Sequence, residues 1–164
     1  MGAPTFYLPS VLDIEPARIR ARGFESVLLD LDNTLLPRGD DNIPADIRAW
    51  CDSLAEHDIR ACLVSNNWQG RIQQVAGDLG FELVSKAIKP LPPAFLLGLR
   101  RLGATRRKTL MIGDQLFTDV LGATLLGIPT AMVLPLAAHD LPHTLMLRRV
   151  ERLYIRGRQP VDQF

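Results

Sequence analysis

The sequence has few cysteines, few aromatic residues and almost no net charge. Its two cysteines, Cys51 and Cys62, show no metal-ligand spacing, so we expect buried free thiols and a reducing compartment. The formal charge of +1 gives no overall attraction to nucleic acid. A basic run at residues 100–108 is more typical of a solvated face than of nucleic-acid contact, so we expect no nucleic-acid partner.

The sequence also lacks any long apolar run. No run reaches the about 20 residues of a transmembrane helix, and the N-terminus does not have the basic-then-apolar order of a signal peptide. We therefore expect a cytoplasmic protein that is soluble or peripheral to a membrane. Near the C-terminus, apolar residues recur at helical spacing while arginines occupy another face, which fits either a membrane-surface helix or a helix packed on the core; the arginines are Arg148, Arg152 and Arg156.

Apolar runs alternate with amphipathic segments along most of the chain. Strands are predicted at residues 26–31, 60–64, 81–84, 109–112 and 130–134, and helices at 13–22, 44–57, 69–79, 93–102 and 119–126. This alternation predicts an α/β fold with a parallel sheet of about five strands. Residues 1–10 are expected to form an irregular arm, and residues 35–42 a mobile flap. The connections are too short for a cap domain.

The length predicts a single domain over residues 1–164. We expect an N-terminal arm and short helix at 1–25, a core at 26–134 and a C-terminal extension at 135–164. No repeat and no long flexible linker interrupts this range.

Polar side chains follow four of the predicted strands. The carboxyl ends of parallel strands meet at one edge of a sheet, where ligands bind. Several carboxylates brought together there repel one another unless a divalent cation lies among them, and an oxygen-lined site with open water positions suits Mg²⁺ and a phosphate. The residues in question are Asp30, Asp32, Ser65, Lys89, Asp114 and Asp119.

These residue types are suited to phosphate chemistry. Asp30 can attack phosphorus and form an aspartyl phosphate, and Asp32 can act as general acid and then as general base. The Ser65 hydroxyl and backbone amides near Asn66 would hold phosphoryl oxygens, and Lys89 would offset their charge. Two alternatives stay open at this stage: Lys86 could replace Lys89, and Asp119 could cap the helix that begins beside it.

The order of these residues resembles the four motifs of the haloacid dehalogenase (HAD) phosphatase superfamily. The motifs are Asp30-Leu31-Asp32-Asn33-Thr34, Ser65-Asn66, Lys89-Pro90 and the segment from Gly113 through Asp114 to Asp119. Together with the flanking segments they resemble the YqeG-type branch of subfamily IIIA, which is similar to phosphatidylglycerophosphate phosphatases. A usual asparagine of that branch is replaced near Leu147.

The resemblance implies a Rossmann-like three-layer α/β/α fold and a full set of site residues. These are Asp30, Asp32 and Lys89 for catalysis, Thr34, Ser65 and Asn66 for substrate binding, and Asp30, Asp32, Asp114 and Asp119 for Mg²⁺. It implies a Mg²⁺-dependent phosphomonoesterase, with phosphatidylglycerophosphate as the candidate substrate. The alternatives are a phosphatase of a soluble metabolite or a nucleic-acid end, and a non-enzymatic phospho-acceptor module.

The lack of a cap domain bears on the substrate. Capped relatives enclose small metabolites, so an open site implies a large substrate, a membrane-bound headgroup or closure by another subunit. The predicted partner is therefore a phosphorylated substrate, with a phospholipid headgroup as the leading candidate. A membrane is a second partner if the basic C-terminal segment forms a membrane-surface helix rather than packing on the core.

Overall fold

A six-stranded sheet forms the centre of the fold in this computed structural model, which describes residues 4–68, 70–137 and 164. The strands are β1 (Phe6–Leu8), β2 (Ser26–Leu29), β3 (Arg60–Val64), β4 (Glu82–Val84), β5 (Thr109–Gly113) and β6 (Thr130–Val133). They lie in the order β1-β6-β5-β2-β3-β4, and every neighbouring pair is parallel. The predicted parallel α/β fold is confirmed.

The helices occupy the connections between the strands. They are α1 (Pro16–Ala21), α2 (Ala45–Glu56), α3 (Arg71–Leu79), α4 (Pro92–Leu102) and α5 (Leu121–Leu125). Short 3₁₀ turns lie at Val11–Asp13 and Arg106–Lys108, and a π-helical turn at Leu116–Val120 leads into α5. None of the described helices has the length and apolarity required to cross a membrane.

Proline and glycine residues mark several of the helix ends. Helices α1 and α4 have proline in the first turn, where its missing N–H is not needed. Helices α3 and α4 end at Gly80 and Gly103, which adopt the left-handed conformation with φ of 67° and 56°. That conformation is open to glycine without the steric cost of a Cβ.

Alternate residues of the central strands face two helical layers. Val27 and Leu29 of β2 pack in a core with Trp50 of α2, whereas Leu28 lies in a second core with Phe95 of α4. A strand that is buried on both faces is expected when helices cover both sides of a parallel sheet. The expected three-layer α/β/α arrangement is therefore present.

Strand β1 corrects the prediction of an irregular N-terminal arm. Phe6 pairs with Ala131 of β6 at the edge of the sheet, and reciprocal hydrogen bonds join Thr5 to Thr130 at 3.2 and 3.1 Å. The edge is further packed by Phe164, whose ring centroid lies 4.6 Å from that of Phe6. The prediction failed because a three-residue run between prolines gains its strand conformation only from a partner about 125 positions away.

The turn after β2 is packed more tightly than a mobile flap. Leu35 and Leu36 are fully buried in the core, because the carbonyl of Leu31 accepts hydrogen bonds from three following backbone N–H groups and folds the chain back. The flap prediction is wrong for these two leucines. Further along, an ion pair joins Asp41 to Arg71 of α3.

The described connections between strands contain only single helices and turns, which agrees with the absence of a cap domain. The proposed boundaries of a single domain stay a prediction. Most of the C-terminal extension, including the basic amphipathic segment, lies outside the described residues.

The two cysteine thiols provide a test of the core. Cys51 and Cys62 are free and buried, and burial raises the pKa of both thiols to about 12, because a thiolate would lose its hydration. At pH 8 only about 10⁻⁴ of such a thiol is ionised, so we expect a thiolate-specific reagent to leave the folded protein unmodified. Both thiols should react once guanidinium unfolds the chain.

The raised pKa of the two thiols also affects the free energy of unfolding. Above the thiols' ordinary pKa of 9.0, the unfolded chain loses protons that the folded chain keeps, so the free energy of unfolding should fall as pH rises past 9. Rapid modification of either thiol in the folded protein at pH 8 would contradict this packing.

Candidate active site

Asp30 lies directly beyond β2 in the interior of the sheet. Its backbone N–H donates to the carbonyl of Ile112 at 2.9 Å, which extends the pairing with β5 by one residue. The strand itself ends at Leu29, two residues earlier than predicted, because the chain turns at Leu31. The side chain of Asp30 is 8% exposed and is held at the carboxyl edge of the sheet.

Lys89 connects two of the carboxylates. Its Nζ lies 2.6 Å from Oδ1 of Asp30 and 2.6 Å from Oδ1 of Asp119, and its side chain is 2% exposed. Burial alone would lower the pKa of Lys89, but the attraction of the two carboxylates outweighs it and raises the pKa. Lys89 is therefore an ammonium. The alternative, Lys86, is exposed, with its Nζ 5.1 Å from the ring centroid of Trp68.

Asp114 and Asp119 come from the segment after β5. Asp114 follows the last residue of the strand and is fully buried. The π-helical turn brings Asp119 back toward the strand end, where its Oδ2 accepts the backbone N–H of Gln115 at 3.1 Å. This bond points to a residue before the turn, so Asp119 does not cap α5. Burial raises the pKa of Asp119, although the nearby Lys89 opposes the shift.

Gly113 makes room for this arrangement. A Cβ at Gly113 would lie only 2.3 Å from Oδ2 of Asp119, a separation at which the carboxylate would have to move. Glycine at the end of β5 is thus a steric requirement for the position of Asp119.

Three carboxylates in the site could hold a metal ion. Oxygen atoms of Asp30, Asp114 and Asp119 all lie within 4.8 Å of one another, slightly more than the about 4.2 Å that spans an octahedral Mg²⁺. With Lys89 included, the ionised group carries a formal charge of −2, which one divalent cation balances. The donor set is all oxygen, as Mg²⁺ prefers, so these residues fit such an ion.

Asp32 lies beside this cluster and differs from its members in environment. Its carboxylate is half-buried and is not part of the three-carboxylate group; its Oδ2 accepts a hydrogen bond from Nδ2 of Asn67 at 3.4 Å. Burial, and then the charge of Asp30, raise the pKa of Asp32 against the opposing effects of Arg38, Asn67 and Lys89. A raised pKa suits a carboxyl group that must first release a proton and then accept one. Its assignment as a metal ligand stays a prediction.

The predicted substrate-binding residues lie at the same edge. The Thr34 hydroxyl donates to Oδ2 of Asp30 at 3.4 Å, and the buried Ser65 hydroxyl accepts the backbone N–H of Asn67 at 3.0 Å. Asn66 contacts the backbone of the segment that follows β4. The structure thus brings all the predicted site residues to one edge of the sheet, and the substrate-binding roles stay predictions.

Two residues of the site escaped the sequence-based prediction. Gly113 opens the fourth motif and Asn67 directly follows the second, so proximity to a motif was the available signal, whereas their contacts depend on how the chain folds. The sequence has three histidines, none of which belongs to the four motifs. His57 lies at the end of α2, where its Nδ1 is 2.9 Å from the carbonyl of Ser53; His139 and His143 lie outside the described residues.

Known proteins share this sequence pattern and this fold. A family model described as HAD-hydrolase-like matches residues 87–135. The chain is 34% identical over 149 residues to the "Probable phosphatase YqeG" of Bacillus subtilis, covering 91% of this chain and 87% of that protein. The chain belongs to the YqeG family of HAD-like phosphatases. The resemblance read from the motifs is therefore confirmed for a HAD-type phosphatase.

Solved structures of HAD proteins share the fold of this HAD-type phosphatase. A HAD phosphatase from Thermococcus onnurineus matches with a TM-score of 0.58 at 16% identity, covering 84% of this chain and 100% of that chain. The cobalt-bound deoxy-D-mannose-octulosonate 8-phosphate phosphatase of Haemophilus influenzae matches with a TM-score of 0.54 at 16% identity, over 84% and 90% of the two chains. At such low identity these likenesses establish the fold alone.

The substitution Gly113→Ala tests the steric role of this glycine. We expect the added methyl group to displace the Asp119 carboxylate and to weaken divalent-cation binding by at least tenfold, about 1.4 kcal/mol, in isothermal titration. Gly77→Ala is the matched control, because a Cβ at Gly77 meets nothing within 4 Å and the residue lies in α3. That control should bind cations normally and unfold at a slightly higher temperature, since alanine favours helix. Equal cation affinity in both variants would contradict the role of Gly113.

Proposed function

We propose that this phosphatase is Mg²⁺-dependent and hydrolyses a phosphate monoester through an aspartyl phosphate on Asp30. The observation that carries the proposal is the buried bridge from Asp30 through the Lys89 ammonium to Asp119, at 2.6 Å on each side. The bridge holds the Asp30 carboxylate in a fixed orientation at the strand end. An anionic nucleophile in a fixed position is the requirement for attack on phosphorus.

In the first step a carboxylate oxygen of Asp30 attacks phosphorus. A new oxygen–phosphorus bond forms while the bond from phosphorus to the leaving oxygen breaks. Asp32 gives its proton to that leaving oxygen, which would otherwise depart as an unstable alkoxide. The raised pKa of Asp32 favours the protonated form that this step consumes.

In the second step the phosphoenzyme is hydrolysed. Asp32, now ionised, accepts a proton from a water molecule whose oxygen attacks phosphorus. The bond from phosphorus to Asp30 breaks, and inorganic phosphate leaves. Lys89, close to Asp30, offsets the negative charge on the phosphoryl oxygens in both steps.

The carboxylates of Asp30, Asp114 and Asp119 would hold the Mg²⁺ ion. When bound, the ion supplies positive charge that screens the carboxylates from the anionic phosphate. The fixed acidic residues at the ends of β2 and β5 then serve binding as well as chemistry. Ser65 and the neighbouring backbone amides would donate hydrogen bonds to the phosphoryl oxygens.

Two conservative variants test the roles of the first two aspartates. Asp30→Asn should lower the rate of phosphate release at least a thousandfold, because the amide is a poor nucleophile. It should also prevent acid-stable labelling of the protein by a ³²P-phosphomonoester. Asp32→Asn should still form labelled enzyme from an aryl phosphate, whose leaving group needs little protonation, and should accumulate it because hydrolysis is slow. Phosphate release that survives Asp30→Asn would sink the nucleophile assignment.

For the substrate, we propose a phospholipid monoester, with phosphatidylglycerophosphate first because of the family resemblance. Three large apolar side chains beside the site support an amphipathic substrate. Trp68, Ile88 and Leu91 are 67%, 59% and 53% exposed, and Lys86 lies against the Trp68 ring. Tryptophan and lysine together suit the boundary between a lipid headgroup and its acyl chains.

The backbone conformation of Ile88 also supports a substrate contact at the rim formed by Trp68, Ile88 and Leu91. Ile88 has φ of 52°, a left-handed conformation that is costly for a β-branched residue, and the conformation leaves its apolar side chain exposed. The basic C-terminal segment lies outside the described residues, so membrane contact through it stays a prediction.

The substitution Trp68→Ala tests the lipid substrate. We expect kcat/KM to fall about tenfold, the equivalent of about 1.4 kcal/mol, for phosphatidylglycerophosphate in mixed micelles. It should change less than twofold for a soluble alkyl phosphate, because only the lipid reaches the rim. Leu125→Ala is the matched control: Leu125 is 64% exposed at the end of α5, and the carbonyl of the next residue, Leu126, accepts a hydrogen bond from Arg106 of the 3₁₀ turn before β5. A wild-type preference for soluble monoesters would instead favour the metabolite phosphatase.

A further inference from the structure

The carboxamide of Asn66 forms hydrogen bonds to the backbone of Lys89. We propose that Asn66 is a positioning residue, which fixes the backbone of Lys89 so that the ammonium reaches Asp30 and Asp119. This role differs from the substrate contact predicted for Asn66 from sequence. Its catalytic consequence rests on the proposed function.

The hydrogen bonds involve both polar groups of the Lys89 backbone. Oδ1 of Asn66 accepts the N–H of Lys89 at 2.7 Å, and Nδ2 of Asn66 donates to the carbonyl of Lys89 at 3.4 Å. A carboxamide suits this task because it presents one acceptor and one donor side by side. The Nδ2 group has a second N–H, so these two bonds do not by themselves exclude a phosphate contact, and the kinetics of Asn66→Ala separate the two roles.

Lys89 needs external support because its segment has no regular structure. It lies between the end of β4 at Val84 and the start of α4 at Pro92. Lys86 and Ile88 both have positive φ, at 53° and 52°, which non-glycine residues adopt only when their surroundings impose it.

The loop after β3 supplies that support. Ala87 N–H donates to the carbonyl of Ser65 at 3.0 Å, and Lys86 N–H to the carbonyl of Asn67 at 3.4 Å. Asn66 stands between these two acceptors in sequence and binds the next part of the same segment. Three consecutive residues of the loop after β3 thus hold the segment that carries Lys89.

Precise placement of this backbone matters at the far end of the side chain. The lysine ammonium is carried on a flexible four-carbon stem, yet it contacts two buried carboxylates at 2.6 Å each. A shift of the Lys89 backbone would move the ammonium away from at least one of them. Misplacement by about 1 Å can reduce a rate by about a hundredfold.

A double-mutant cycle on full-length protein tests the coupling. Asn66→Ala should lower kcat by about 10- to 100-fold with KM changed less than threefold, and the same substitution in a Lys89→Ala background should change kcat less than twofold. Asn66→Asp should lose less than Asn66→Ala, because it keeps an acceptor for the Lys89 N–H. The matched control is Gln74→Ala, which removes an exposed amide from α3 and should leave kcat unchanged.

Two kinetic results would overturn the proposal. If Asn66→Ala mainly raised KM, the side chain would be a substrate ligand. If the effects of Asn66→Ala and Lys89→Ala were additive, Asn66 would not act through Lys89. Thermal unfolding of each variant, compared with wild type, separates these outcomes from loss of the fold.

Hydrogen exchange provides a readout that does not depend on activity or on the folding of a Lys89 variant. The backbone N–H of Lys89 should be protected in wild type, at least tenfold less protected in Asn66→Ala, and largely protected in Asn66→Asp. Unchanged protection in Asn66→Ala would refute the contact itself. A wild-type protein without phosphomonoesterase activity would instead refute the proposed function, and the two failures are therefore distinguishable.

Discussion

The buried ammonium of Lys89 between Asp30 and Asp119 is the interaction on which the site depends. A charge removed from water costs several kcal/mol unless partners compensate it, and here each partner is itself a buried charge. Removing Lys89 would leave two buried carboxylates without their shared counter-charge. When Asp114 is counted with these three groups, the cluster carries excess negative charge. That imbalance disposes it to bind a cation.

The sheet supplies the rigidity that this cluster requires. β2 lies between β5 and β3, and Leu29 pairs with Ile112 on one side and Leu63 on the other. Asp30, Ser65 and Asp114 follow these strands directly and therefore converge without the help of a mobile segment. Three large apolar side chains next to the motifs in sequence, Trp68, Ile88 and Leu91, are exposed. The carboxylates of the site are thus held by the core, whereas these apolar side chains lie on the surface.

Local pattern was sufficient for most of the fold and for the composition of the site. The boundaries of β3 agree with the prediction at both ends, and the α2 boundaries agree to within one residue, because apolar periodicity and proline and glycine signals are local. The edge strand at Phe6–Leu8 was missed, since its pairing with β6 is distant in sequence. The burial of Leu35 and Leu36 was missed because turn-forming composition next to them outweighed their apolar character.

The sequence by itself determined the strand–helix alternation, the four motifs and the choice of aspartates, since these depend on residue type and order. Only the tertiary structure decided which lysine meets Asp30, why Gly113 must lack a side chain and what Asn66 contacts. The contacts of Lys89 and Asn66 join chain segments that are remote in sequence, whereas Gly113 and Asp119 belong to one segment and meet through the π-helical turn. Residue order gives no such contacts; packing of the helices against the sheet sets them.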